Sequence, residues 1–269
     1  MKPEPADSGS ERAISSEVQR LFAAVQYFTR LPVPAWVGHG QAALEDAARY
    51  FPAVGLLIGG IGAAILLAAG RCWSMPVAVV IGMIATVLVT GALHEDGLAD
   101  SIDGLGGALD RIRSLEIMKD PRIGVFGAAA LMLILLLRFS ALSAMPIRTA
   151  ALALIAANTV SRLGGVLIMA TLPYARTGTD SRSNPLVRSI SITSILIGGI
   201  TAALALYPLQ LRGVAGGLAV CSVCWLWRGY IKRRLGGYTG DTLGAAQQFG
   251  ECAFYLTCGA GSLWATSSL

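Results

Sequence analysis

Residues 50–70 read YFPAVGLLIGGIGAAILLAAG, with no charged side chain. About 20 consecutive apolar residues are what an α-helix needs to cross the hydrocarbon of a bilayer. This stretch is therefore read as a membrane span, and similar runs follow at about 76–93, 123–146, 149–172, 190–208 and 213–228. A weaker apolar run lies at about 252–266 and is either a seventh span or a re-entrant segment. Over the whole chain of 269 residues, 54% are hydrophobic and only 14% charged. A soluble domain averages about 25% charged residues. This composition excludes an ordinary soluble enzyme and a disordered chain. It also argues against a nucleic-acid partner despite the net charge of +5.

The expected fold is all-α: a polytopic integral membrane helix bundle of about 6–7 transmembrane helices. Residues 17–36, with Phe22, Val25 and Phe28 between Arg20 and Arg30, predict an N-terminal interfacial helix. Residues 1–16 read as a polar tail, without the apolar core of a signal peptide, and 17–269 as a single integral membrane catalytic domain. With the N-terminus inside, most of the 21 basic residues fall on the cytoplasmic side, in segments 94–122, 173–189 and 228–251. Only Arg71, Arg148 and Arg212 fall outside, as the positive-inside rule requires. The CxxC formed by Cys221 and Cys224 sits in an apolar run with no second ligand pair, so both are read as small helix residues.

The charge that remains is concentrated. Seven of the 16 acidic residues are Glu95, Asp96, Asp100, Asp103, Asp110, Glu116 and Asp120. Asp96, Asp100 and Asp103 are spaced i, i+4, i+7, within an arc of roughly 60° on a helix. Gly104, Gly106 and Gly107 make it doubtful that the helix continues to Asp110. Converging carboxylates repel one another, and a hard divalent cation such as Mg²⁺ relieves the conflict. The interleaved glycines, among them Gly97 and Gly104, would admit a phosphate close to the backbone. A solvated acidic loop is the plainer alternative.

Lys119 and Arg122 follow the cluster and serve either to clamp phosphate oxygens or to anchor the next span. Arg138 and Arg162 fall within spans, where a charge needs a polar cavity or a carboxylate partner. Snorkelling towards the outer face is the alternative for Arg138. His94 adjoins the cluster as a candidate base. His39, in a Gly-flanked loop, carries no role. Segment 235–251 reads as a loop in which Asp241, flanked by Gly240 and Thr242, can contact a metal or phosphate.

These residues carry a resemblance. FTRLPVP at 28–34, RYFPAVGLLIG at 49–59, LHEDGLADSIDGLGG at 93–107, EIMKDPRIGVFG at 116–127, SRLGG at 161–165, LPYAR at 172–176 and GGYTGDTLGAAQQ at 236–248 together resemble the cobalamin synthase family of adenosylcobinamide-GDP ribazoletransferases. Pro121 stands where a serine-like residue is expected. The resemblance implies a Mg²⁺-dependent enzyme of the bacterial cytoplasmic membrane. It would join adenosylcobinamide-GDP to α-ribazole or its 5′-phosphate and release GMP, a late step of nucleotide-loop assembly.

On that reading Asp96, Asp100 and Asp103 bind Mg²⁺, with Glu95 or Asp241 completing the shell. Lys119 and Arg122 hold phosphate, and a cluster carboxylate or His94 takes the proton. Gly97, Gly104, Arg138, Arg162, Gly240 and Thr242 would line the bound cofactor and substrate. The partners expected are the two substrates and the lipid bilayer, and a homo-oligomer is compatible with them. Two other classes fit parts of the pattern. One is a CDP-alcohol phosphotransferase, although Asp100 stands where that motif needs Arg. The other is a polytopic transporter.

Overall fold

A computed structural model describes residues 17–37, 47–176 and 190–260. The expected tail 1–16, His39, most of the loop 173–189 and the end of the last apolar run lie outside the described residues. The architecture is helical. In chain order the helices are α1 (Glu17–Phe28), α2 (Phe51–Ala69), α3 (Met75–Thr90), α4 (Leu93–Gly107) and α5 (Arg111–Ile117). They continue as α6 (Val125–Ser143), α7 (Ile147–Thr171), α8 (Ile192–Leu206), α9 (Gln210–Leu235) and α10 (Gly240–Gly259).

Four helical segments are long and apolar enough to cross a bilayer: 48–69, 125–143, 147–171 and 192–235. The last, of 44 residues, contains two of the expected spans and divides at Tyr207–Leu209 into α8 and α9. Gln210, at φ +51°, turns the chain there. The helices α3 and α4 qualify only together, as a pair bent by 85°. Against the six to seven spans expected, four segments qualify, or five with the broken pair, and the 44-residue segment holds two of the expected ones.

α7 is the most buried of the apolar helices and the axis of the bundle. α2 packs along it backbone to backbone, because glycine leaves room. A Cβ on Gly55 would lie 2.3 Å from the Asn158 carbonyl oxygen, and one on Gly59 would lie 2.6 Å from that of Leu154. Small residues at such a crossing let dispersion contacts form over the helix length. The opposite side of α2 meets α3 at Gly62 and Gly82. α6 buries little beyond Gly127, Arg138, Ala141 and Leu142 and presents Met132, Leu133 and Leu136 outward. That is the distribution of a lipid-facing helix. α1 buries Ala23, Ala24 and Phe28 against the bundle.

Two segments expected to be loops are helical. α4 runs through Gly104–Gly107 instead of breaking there. Its glycines are contact points: a Cβ on Gly104 would meet Met118 and the Ser114 carbonyl of α5, and one on Gly106 would meet Phe126. Asp110 lies beyond α4 and caps α5, accepting the Arg113 backbone N–H at 2.9 Å. The second segment, 235–251, is mostly the first half of α10. Thr239 and Thr242 start α10 with a reciprocal capping box.

Candidate active site

The site is built where α4 crosses the start of α10. Gly97 makes the crossing close, since a Cβ there would lie 2.9 Å from the Asp241 carbonyl oxygen. Gly244 meets the α-carbons of Gly97 and His94 from the other side, each 3.3 Å from where its own Cβ would stand. Asp96, exposed, and Asp100, partly buried, lie one turn apart on α4, and Asp241 opens α10 beside them. Burial and the carboxylates of Asp96, Asp241 and Asp103 push the Asp100 carboxyl up to about 7. Burial also raises the Asp241 carboxyl, with the Arg176 guanidinium opposing it. α4 and α10 are not among the four apolar spans.

Arg176 pairs with Asp241 at 2.5 Å. It is placed by a short ladder in which Ala175 N–H donates to the Tyr238 carbonyl and Tyr238 N–H to that of Pro173. Arg111 braces the same segment through the Ala175 carbonyl. In the sequence Arg176 counts only as an orientation signal. Its link to Asp241 spans 65 positions and leaves no local pattern.

Asp103 has another task. Its Oδ2 accepts the Gly124 N–H at 2.7 Å and its Oδ1 the Gly127 N–H at 2.8 Å. It therefore caps α6, whose first N–H groups lack partners within the helix. Its helical spacing with Asp96 and Asp100 is as expected, yet its carboxylate turns to α6.

Lys119 and Arg122 lie on the exposed connection between α5 and α6. Arg122 folds back on Asp120 at 2.6 Å with most of its side chain in solvent. Thr242 is buried in the capping box and Gly240 is exposed with open space around it. Gly104 packs on α5 and stands away from the carboxylates.

The intramembrane arginines belong to a second, buried polar cluster below the crossing. Arg138 pairs with Glu251 at 3.0 Å and lies 3.5 Å from Glu95. It also donates to Gln248 Oε1 at 2.8 Å, and Gln248 in turn donates to Glu95. Arg162 donates to the Asn158 carbonyl and side chain and approaches Glu251 at 4.0 Å. Two carboxylates thus balance two guanidinium groups. Arg138 thus has the carboxylate partners expected of a charge within a span, rather than snorkelling outward, and Glu95, offered with Asp241 to complete the metal shell, is engaged here instead. Glu251 and Gln248 carry no signal of their own in the sequence, although AAQQFGE places Gln247 and Glu251 one helical turn apart. His94 is also buried, its ring stacked on Phe28 with centroids 5.6 Å apart.

A cavity of about 430 Å³ has Asp96 on its wall and is lined by residues that include Tyr27, Arg30 and Thr90. Burial pushes the Tyr27 phenol up, and Tyr174 and Asp241 add to it. Among the described residues, no three His, Cys, Asp or Glu side chains form a complete metal cage. Magnesium does not need one, because it keeps waters and takes one or two carboxylates plus substrate phosphates. The hard oxygens of Asp96 and Asp100, crowded enough to raise one of them, fit that mode.

Comparison with known proteins identifies the family. The family described as Cobalamin-5-phosphate synthase matches residues 20–259. A Leptothrix cholodnii protein named adenosylcobinamide-GDP ribazoletransferase is 41% identical over 256 residues, covering 91% of this chain and 96% of its own. Proteins of the same name from Shewanella amazonensis and Ralstonia pickettii are 40% and 41% identical, each covering 89% of this chain and 94% of its own. No solved structure matches. The chain belongs to the cobalamin-5-phosphate synthase family.

Proposed function

We propose that this protein is an adenosylcobinamide-GDP ribazoletransferase acting in cobalamin biosynthesis. The observation that carries the reading is the crossing of α4 and α10, which gathers Asp96, Asp100 and Asp241, with Asp96 on the wall of a cavity. The names of the relatives point to the same activity and favour neither a CDP-alcohol phosphotransferase nor a transporter. The membrane is the bacterial cytoplasmic one, with the site on the cytoplasmic side. The distribution of basic residues supports that placement.

In the reaction a hydroxyl of α-ribazole, or of its 5′-phosphate, forms a bond to the phosphorus that carries cobinamide. The anhydride bond to the second phosphorus breaks, GMP leaves, and the hydroxyl proton is lost. Asp96 and Asp100 would hold magnesium, with Asp241 next to them. When bound, the ion supplies neutralisation of the diphosphate charge. Asp103 and Glu95 are left out of this set, because α6 and Arg138 already engage them.

His94 is buried against Phe28, which leaves the proton to a carboxylate of the cluster. Arg176 holds Asp241 in place and lies ready to meet an anionic substrate group. Lys119 and Arg122 keep the role of phosphate contacts only if their exposed connection moves towards the site.

The test is direct. Protein reconstituted in bilayers is given Mg²⁺, adenosylcobinamide-GDP and α-ribazole, and GMP is measured. Wild type should release GMP, while Asp96→Asn and Asp100→Asn should lose it by about two orders of magnitude or more. Undiminished GMP release by both variants would sink the site.

A further inference from the structure

The crossing of α4 and α10 has a backbone contact and a side-chain contact, and they do different things. Gly97 and Gly244 set how near the two helices come. Such a contact has no directional bond, so it fixes spacing and leaves rotation open. Continuity with α3 does not fix the rotation of α4 either. Gly91 (φ +66°) and Ala92 (φ +60°) are both left-handed, the two helices are bent by 85°, and Ala92 caps α4 without a side-chain bond.

Rotation matters to the site. Successive residues step about 100° around a helix, so Asp96 lies about 100° and Asp100 about 140° from Glu95. With Glu95 turned into the bundle, Asp96 is exposed and Asp100 partly buried. At a side-chain radius of about 5 Å, a turn of about 10° moves a carboxylate by about 1 Å. Magnesium demands a near-ideal octahedron with ligands at about 2.0–2.1 Å, so a shift of that size weakens its binding.

The side-chain contact does have a direction. Among the described residues, Gln248 is the sole hydrogen-bond donor to the Glu95 side chain, from Nε2 at 2.9 Å. The amide is itself held one way round, because its Oε1 accepts from Arg138 at 2.8 Å. Arg138 is held in turn by Glu251. Asp241, Gly244 and Gln248 stand at i, i+3 and i+7, on one face of α10. That face carries a carboxylate of the site, the close approach and the bond to Glu95.

We infer that Gln248 is a positioning residue for the reaction: through Glu95 it fixes the rotation of α4, and with it the metal-binding geometry of Asp96 and Asp100. It touches neither metal nor substrate. The inference rests on the transferase reading above and adds a residue outside the carboxylate set.

The experiment measures Mn²⁺ binding as a probe of the magnesium site, by loss of the free-ion electron paramagnetic resonance signal. It uses the full-length protein in detergent without substrate, and the ion counted is the one that Asp100→Asn abolishes. Unfolding temperature and GMP release are followed alongside. Gln248→Met keeps the length of the side chain and removes its polar atoms. Its Mn²⁺ affinity should fall about tenfold, as loss of a charged hydrogen bond implies. Gln248→Asn, one methylene shorter, cannot span Arg138 and Glu95 together. It should lose less, and it carries the test if the methionine variant does not fold.

Two further variants separate positioning from stability. Gln247 is also buried and also donates to a carboxylate, but to Glu251 of its own helix, at 2.9 Å. Gln247→Met should lower the unfolding temperature and leave Mn²⁺ affinity near that of wild type. The exchange Glu95→Gln/Gln248→Glu keeps the net charge and both contacts, since the carboxylate on α10 then accepts from Arg138 and from the amide on α4. It should return Mn²⁺ affinity and GMP release towards wild type.

Wild-type Mn²⁺ affinity in both Gln248 variants overturns the inference. So does an equal loss in Gln247→Met, or an exchange variant that folds and still binds weakly. If wild type binds Mn²⁺ and releases no GMP, the transferase reading fails, while the order of Mn²⁺ affinities still decides the role of Gln248. If GMP is released without Mn²⁺ binding, the inference is overturned and the transferase reading stands.

Discussion

Arg138 of α6 and Glu251 of α10 form an ion pair of 3.0 Å in which each side chain is 2% exposed. The pair joins α6, the least buried of the four apolar segments, to α10, which carries part of the candidate active site. Tyr255 donates to the same carboxylate at 3.3 Å, and Gln247 to its other oxygen at 2.9 Å.

Removing Glu251 should therefore be severe. Glu251→Ala leaves two buried guanidinium groups facing only Glu95, and breaking a buried pair costs about 3–5 kcal/mol. Thermal unfolding in detergent should show this loss. The double variant Arg138→Met/Glu251→Leu should lose less than Glu251→Ala, because no unpaired charge remains at that pair.

Asp103 should behave as a helix cap. Asp103→Ala is expected to cost about 0.5–2 kcal/mol of stability, the range for a lost cap. Asp103→Asn keeps an acceptor for one of the two N–H groups and should keep far more GMP release than Asp100→Asn. Equal losses in the two asparagine variants would return Asp103 to the metal site.

Gly97 sets the spacing of the site. In Gly97→Ala the new Cβ meets the Asp241 backbone at 2.9–3.4 Å, so the α10 terminus must shift. Reacting groups misplaced by about 1 Å can cost about 100-fold in rate. GMP release should fall steeply while the unfolding temperature changes little.

Two glycines of α2 make an internal comparison. Gly55→Ala drives a Cβ into the Asn158 carbonyl, whereas Gly60→Ala finds nothing within 4 Å. The first should destabilise strongly. The second should stabilise by up to about 1 kcal/mol, the helix preference of alanine over glycine. Unfolding of both variants under one condition gives the comparison.

Hydropathy alone makes the apolar helices legible, because a span of about 20 residues must be apolar along its whole length and leaves a contiguous signal. The spacing of Asp96 and Asp100 is legible for a similar reason, since one helical turn relates them locally. The glycines beside them suggest room for phosphate, and at Gly97 the room is taken by Asp241 itself.

What each carboxylate faces is not legible. Asp103 and Asp100 look alike in LADSIDG, and only the packing of α4 on α6 turns one of them into a cap. Arg138 and Arg162 announce a need for partners, but Glu251 lies about a hundred residues away and is chosen by the way α10 descends between α6 and α7. The sequence by itself determined that this chain is a membrane helix bundle with its charge gathered at one place. Tertiary structure alone decided which charges are spent on each other and which stay free for chemistry. Burying a charge is tolerated only where a partner meets it, and which partner arrives depends on contacts between residues far apart in the chain.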